Sequence, residues 1–485
     1  MIVALAAALA LGVQDTLPAR LATTAPDSVA VLDFPTFYQQ VRARHPVARQ
    51  AELLEARADA EVLAARGPLW DPSIEASWDR KALDGSEYYN YLVTGLKLPT
   101  PVGVEVKFGY ENTEGTLVNP DRLTPEAGLW IASVSVPIGR GMVTDRRRNA
   151  QAVALRDVAV AERAGQVNKL LFAAAKDYAA WYEAWRRLGI ADEGVELAEF
   201  RYGATMRRFD DGDAAAIDTV EAGLELQRRL VARLEAANDW FVTTQVVNTY
   251  LWSENAVPFD LAPGVVPTLA GVERTPLDTV AADGWLARSV AQHPDLLKAL
   301  AKQRAAEADR RLYGQELLPA IRVEAGALKD AALPYFESWG NVSENYKYGI
   351  EAKSSLLLLK ERGMLGAAGA KLESARLEAT LVQRELRAAV FASANDVLTF
   401  ERILDVQASA VHQSRLLRDG ENRRFDEGES TLFLVNQRDR LLLDEQVKLA
   451  AFEAKYLGAR AALAVALGGT LGDGRGLVPA EAAPR

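Results

Sequence analysis

Arg423-Arg424-Phe425-Asp426-Glu427-Gly428 occurs almost unchanged earlier in the chain, as Arg207-Arg208-Phe209-Asp210-Asp211-Gly212. Each copy lies inside a long stretch without proline, 138–257 for the first and 335–478 for the second. Proline costs about 3 kcal/mol in a helix interior, so such stretches are free to form very long helices. An acidic-Gly break inside one marks the tip of a helical hairpin, because Gly takes the left-handed conformation that ends a helix at little cost. The chain therefore reads as two copies of one design: a long helix, a tight turn and a returning helix.

The flanks of the two tips agree with this. Upstream of the first, Val167, Leu171, Ala174, Tyr178, Trp181, Trp185 and Leu188 alternate in steps of four and three, a seven-residue repeat. A helix over 141–206 would be about 100 Å long at 1.5 Å per residue. Upstream of the second, Leu386, Val390, Val397, Phe400, Leu404 and Val411 keep the same repeat. Arg140-Gly141-Met142 and Arg362-Gly363-Met364 open the two long helices. His45-Pro46 and His293-Pro294 occupy matching places before shorter helices, the first of them predicted from Phe37 to about Gly67. Both histidines read as structural caps, since no carboxylate or Cys stands nearby at ligand spacing.

Between the short and long helix of each half the period drops from 3.6 to two. Ile74, Ala76 and Trp78 alternate with Glu75, Ser77 and Asp79, and Val102 to Tyr110 alternate with Gly103, Glu105, Lys107 and Gly109. A Tyr-rich strand candidate covers 88–98, and another runs through Trp130, Ala132, Val134 and Val136. In the second half Ile321, Val323, Ala325 and Ala327 form one strand, and Tyr346, Tyr348, Ile350 and Ala352 another. The Val102 to Tyr110 set has one apolar and one polar face, whereas 88–98 alternates less regularly. The predicted division is a first repeat over 36–252, with strands about 73–138 and its tip at 207–213, and a linker over 253–276. A second repeat covers 277–468, with strands about 320–356 and its tip at 423–429, and 469–485 is a Gly-, Pro- and Ala-rich tail without a core.

Composition narrows the function. Apolar residues make up 49% and charged residues 25% of the 485, which suits a folded chain. A net charge of −10 argues against a nucleic-acid partner. Without a single cysteine, disulfides, thiolate catalysis, Cys-ligated metal and lipid attachment through an N-terminal Cys are excluded. Three histidines leave little for acid–base or metal chemistry, and no nucleophile motif or Gly-rich phosphate loop is present. No catalytic residue, metal or cofactor is expected. Residues 1–13, MIVALAAALALGV, are too short to span a bilayer. They read as the apolar core of a secretory signal over 1–22, although the usual positive start is missing.

The amphipathic strands have the 9–11 residues that a tilted membrane barrel needs. A few strands cannot close a barrel, and a lone 100 Å hairpin cannot bury its stripe. Both defects vanish when several copies assemble around one axis, sharing a barrel without edges and a tube of helices. In this order of elements, given twice, the chain resembles the outer-membrane efflux protein family of TolC-like channels over roughly 36–468. The motifs that carry the resemblance are the two His-Pro helix starts, Pro137 to Gly141, and the block from Phe425 through Gly428 to Asn436-Gln437-Arg438 and Leu441.

The resemblance implies a mainly α chain with membrane β: a homotrimeric TolC-like channel with a shared 12-stranded β-barrel and a long periplasmic α-helical barrel. Each chain gives four strands, an internal duplication supplies the halves, and the linker and C-terminal region form an equatorial belt. It implies outer-membrane lipid around the barrel, with a periplasmic adaptor and an inner-membrane transporter as partners in a tripartite efflux or type I secretion system. One departure is visible, an apparent extra strand pair over 84–112, whose place in or over the barrel wall stays open. Family gates have acids six and nine residues past the turn Gly, which here are Asp218 and Glu221 after Gly212, but Leu434 and Gln437 after Gly428. Against a gate stands a plain role for Asp218 and Glu221 as solvated acids at a helix N-terminus. The tip residues Arg207, Arg208, Phe209, Asp210, Asp211, Gly212, Arg423, Arg424, Phe425, Asp426, Glu427 and Gly428 are candidates for adaptor contact. The four arginines are equally explained as cations at helix C-termini, and the two phenylalanines as fillers of the turns. Tyr88, Tyr89, Tyr91, Tyr346, Tyr348, Trp130 and Trp339 are candidates for aromatic girdles. The rival readings are an oligomeric coiled-coil periplasmic scaffold without channel activity, and a periplasmic hydrolase using a carboxylate pair.

Overall fold

The computed structural model describes residues 30–139, 144–270, 290–334, 339 and 342–469. The expected leader, the entry Arg140-Gly141-Met142, the linker beyond 270 and the tail from 470 lie outside them.

Two helices dominate. Helix α3, Thr144–Asp210, has 67 residues and α6, Leu359–Asp426, has 68. Each turns back at its tip into a shorter helix, α4 (Ala216–Asn248) and α7 (Leu432–Ala466). Ahead of them come α1 (Phe34–Arg44) and α2 (Pro46–Trp70) in the first half, and α5 (Pro294–Gln315) in the second. The single helix expected from Phe37 is split at His45-Pro46, because the residue before proline is pushed out of the helical region; His45 has ψ 134°. Pro68, by contrast, is held inside the last turn of α2. Near the sheet the helices lie side by side in the order α2, α3, α5, α6, and toward the tips in the order α4, α3, α7, α6.

Six strands form one antiparallel ladder: β2 (Ser73–Leu83), β3 (Ser86–Pro99), β4 (Glu105–Glu114), β5 (Leu129–Gly139), β7 (Ala320–Asp330) and β8 (Tyr346–Lys353), in that spatial order. The extra pair thus lies in the sheet between β2 and β5, and among the described residues this sheet has six strands where the resemblance implied four. Asp84 and Gly85, with φ of 53° and 76°, make the two-residue turn from β2 to β3, a conformation suited to Asp-Gly. A second sheet is minimal: β1 (Val31–Asp33) pairs in parallel with β6 (Val266–Thr268), tying the linker to the start of the chain. Among the described residues no helix is long and apolar enough to cross a membrane.

The main core sits where these pieces meet at mid-length. Phe34, Phe37 and Val41 of α1 are fully buried against Tyr178 and Trp181 of α3, Val247 of α4 and Leu457 of α7. The Tyr178 hydroxyl lies 2.6 Å from the Leu32 carbonyl and 2.9 Å from that of Thr268, and accepts from the Thr268 amide at 3.1 Å. One phenol therefore pins both strands of the small sheet to the long helix, and its burial pushes its pKa well above the ordinary value.

Candidate functional site: a two-faced sheet and paired hairpin tips

Strand pairing decides which side chains share a face. The register places Ile74 opposite Leu96, Leu96 opposite Phe108, Phe108 opposite Ala132 and Ala132 opposite Ala327. Val323 then faces Ile350, and Ala325 faces Tyr348. One face of the whole sheet is therefore a continuous apolar band. Along β5 it runs from Trp130 through Ala132, Val134 and Val136 to Ile138, which at about 3.3 Å per residue and a 35–45° tilt rises about 19–22 Å, most of the roughly 25 Å lipid-facing height of an outer-membrane barrel.

The other face carries Glu75, Lys97, Glu105, Lys107, Arg322 and Glu324. Two of its ion pairs skip a strand. Lys107 on β4 reaches Glu75 on β2, 3.5 Å away, and Arg322 on β7 reaches Glu105 on β4 at 3.3 Å. Strands two apart are about 9–10 Å distant, so such pairs form where the sheet curls toward this face. Gly95 leaves the path open: a Cβ there would stand 3.3 Å from Lys107 Cε. Curvature toward charge gives the sheet a polar concave side and an apolar convex side, the arrangement of a water-filled barrel in lipid.

The aromatic candidates divide between the faces. Trp130, Tyr346 and Tyr348 lie on the apolar face, joined by Trp78 and Tyr110, which packs on Trp130 at 5.0 Å. Tyr89 and Tyr91 stack at 4.6 Å on the polar face, with Arg122 of the loop between β4 and β5 over the Tyr91 ring. These two are therefore no part of a lipid girdle. Tyr88 interrupts the pairing at an irregularity and sits under Lys81, and Trp339 lies half-buried in the loop after β7.

At the opposite end the two tips are built alike. The Asp213 amide donates to the Arg208 carbonyl at 2.7 Å, and that of Glu429 to Arg424 at 2.8 Å. Gly212 and Gly428, with φ of 83° and 78°, take the left-handed position of this helix ending. Arg208 and Arg424 each reach over the turn toward the carbonyls of Asp213 and Glu429. The tips also touch, since the Arg208 guanidinium lies 5.8 Å above the Phe425 ring. Phe209 is exposed rather than packed into its turn. Asp218 accepts from the Ala215 amide at 3.2 Å and so caps the first turn of α4, and Glu221 lies half-buried one turn further on.

A buried ionic cluster above the tips is marked by none of the sequence motifs. Arg201 of α3 pairs with Asp439 of α7, and hydrogen-bonds Asn436 and Asn422. Glu225 of α4 accepts from Arg229 at 2.8 Å and from Arg440 of α7 at 2.7 Å. Desolvation lowers the Arg201 pKa to about 10, with the like charge of Arg418 acting in the same direction. The cluster clamps one hairpin to the other. Its signal in the sequence is phase: Asp439 continues the four-three spacing of Val435 and Leu442, so a charge occupies an apolar position. Glu421 is a second such case, buried near the tip, where the Ser430 hydroxyl and then Arg424 and Arg438 hold its carboxyl below the usual range.

His45 and His293 are helix caps. Nδ1 of His45 accepts from the Val47 amide at 3.2 Å, and that of His293 from the Asp295 amide at 3.1 Å.

Residues 285–469 match the family model described as outer membrane efflux protein. No curated protein matches the chain. Among solved structures, the MtrE outer membrane channel of Neisseria gonorrhoeae, in its open state, is similar with a TM-score of 0.65 at 14% identity, over 92% of this chain and 94% of that one. The Campylobacter jejuni CmeC outer membrane channel is similar at 0.64 and 12% identity, over 93% and 87%. The outer membrane protein VceC of Vibrio cholerae gives 0.63 and 12%, over 90% and 95%. At these identities the likeness carries the fold, which runs through both repeats. The second repeat thus carries the match to the outer membrane efflux protein family, and the chain as a whole has the fold of TolC-like outer-membrane channels.

Proposed function

We propose that three copies form the outer-membrane conduit of a tripartite efflux or type I secretion system, fed by an inner-membrane transporter through a periplasmic adaptor. The observation that carries this is the two-faced sheet standing on 67- and 68-residue helices. It supplies an apolar outside, a charged inside and a tube that continues the inside away from the membrane. Chemistry is left to the pump, and the chain contributes width and charge. The duplicated tips and the grooves beside them are the surface offered to the adaptor.

The ends of the hairpins act as the gate. The Arg201–Asp439 and Glu225–Arg440 contacts hold the two hairpins of a chain together, and Asp218 and Glu221 add carboxylates at the start of α4. Repeated around a threefold axis, such acids focus a negative field at the mouth and favour cations there. Purified protein in planar bilayers tests the reading. It should insert and show small, mostly closed conductance that grows when the Arg201 clamp is removed. Protein that stays out of the outer-membrane fraction and never conducts would favour the coiled-coil scaffold.

A further inference from the structure

We infer that three copies close an eighteen-stranded barrel, with β2 of one chain pairing antiparallel with β8 of the next. This rests on the trimeric conduit just proposed and goes beyond it, because the family arrangement of four strands per chain would close at twelve. Six strands from each of three chains make eighteen.

The two edges are free and fit each other. β2 has 11 residues and β8 has 8, and every one of them is exposed. Ile74 is 83% exposed and Ile350 77%, though both lie on the apolar face. A long, regular, proline-free edge with large apolar side chains is a template for another strand. β2 leaves directly from α2 and runs away from the helices, whereas β8 runs back toward them and leads into α6. The edges are therefore antiparallel when one chain stands beside the next, and faces stay matched if polar residues such as Ser77 meet polar positions such as Gly349.

The helices below continue the same joint. On the β2 side the outermost helices are α2 and α4, and on the β8 side α6. α4 exposes Ile217, Val220, Leu224, Val231, Leu234 and Phe241, at spacings of three, four and seven. α6 exposes Leu377, Leu381, Phe391, Val406 and Leu416. Stripes of this kind on both flanks are the two halves of one head-to-tail interface, which closes a ring.

The circumference accommodates eighteen strands. Four helices per chain at the hairpin level give twelve helices, and at about 9–10 Å between axes the tube measures roughly 110–120 Å around. Eighteen strands 4.7–4.9 Å apart, tilted by about 40°, also measure roughly 110–115 Å, while twelve measure about 75 Å. The extra hairpin thus brings the barrel to the girth of the tube beneath it.

The natural absence of cysteine makes the test clean. Ser77→Cys is combined in turn with Cys at Lys347, Gly349, Glu351 or Lys353, the polar-face positions of β8, and mild oxidation is followed by denaturing electrophoresis. The expected result is a covalent ladder ending at the trimer for one or two neighbouring pairs. The competing pair, Ser77→Cys with Ser133→Cys, reports β2 closing directly on β5 with the extra hairpin expelled. A trimer by mass in detergent, with no inter-chain ladder and an efficient Ser77–Ser133 bridge, would overturn the eighteen-stranded barrel and leave the conduit standing. Absence of any trimer would remove both.

Discussion

Single side chains here do work that local sequence rules under-describe. The two His caps are an example, because a cap that accepts through Nδ1 must be unprotonated there. His293 Nε2 also lies 3.0 Å from the Val465 carbonyl, to which the neutral ring donates. Burial lowers the pKa of both His45 and His293 below 6.5. The folded state then binds fewer protons than the unfolded one, so their contribution is complete above about pH 6.5 and declines as pH falls below it. Melting in detergent should drop between pH 7.5 and pH 5.5. The double variant His45→Asn, His293→Asn, which caps without titrating, should flatten that drop, and an unchanged slope would contradict the role. Arg201→Ala leaves Asp439 buried without its partner, a loss of about 3–5 kcal/mol in this kind of site. Hydrogen exchange should report it as opening of the first turns of α7 while the sheet stays protected. Asp218→Ala should raise conductance or weaken block by multivalent cations. If it only frays the first turn of α4, the carboxylate is a cap and no gate.

Elements differ in how far the amino-acid order alone reveals them. The helical hairpins are legible because everything that makes them is local: no proline for over a hundred residues, a seven-residue stripe, an acidic-Gly stop. Gly212→Ala and Gly428→Ala should each cost about 1–2 kcal/mol, since Ala pays the left-handed penalty, and Asn at either place should cost less. Faster hydrogen exchange in the last turns of α3 and α6 is the readout, and equal protection of Ala and Gly variants would refute it. The strands are half legible. Alternation marks Glu105 to Tyr110 as two-faced, but where the pair β3–β4 goes depends on partners far apart in sequence, and Tyr89, Asn90 and Tyr91 give no clear face by themselves. Pairing with Lys81, Arg80 and Asp79 settles it. The Arg201 cluster is hidden for the same reason, because Asp439 stands 238 positions along the chain, and only its place in an apolar phase betrays it.

At the scale of the molecule, one chain is an open part. Its sheet has two bare edges, its outer helices expose apolar stripes, and its polar concave face encloses nothing by itself. Heterologous contact between the β2 flank and the β8 flank meets all three needs at once, with a barrel wall above and a helical tube below. Dilution into detergent should therefore leave a trimer and not a compact monomer. Electron cryo-microscopy of the protein in lipid nanodiscs is the most direct measurement. The account predicts a threefold tube whose wall in the lipid counts eighteen strands and whose helices continue for about 100 Å beyond it. A particle of a single chain, or a sheet lying closed on itself outside the lipid, would contradict it.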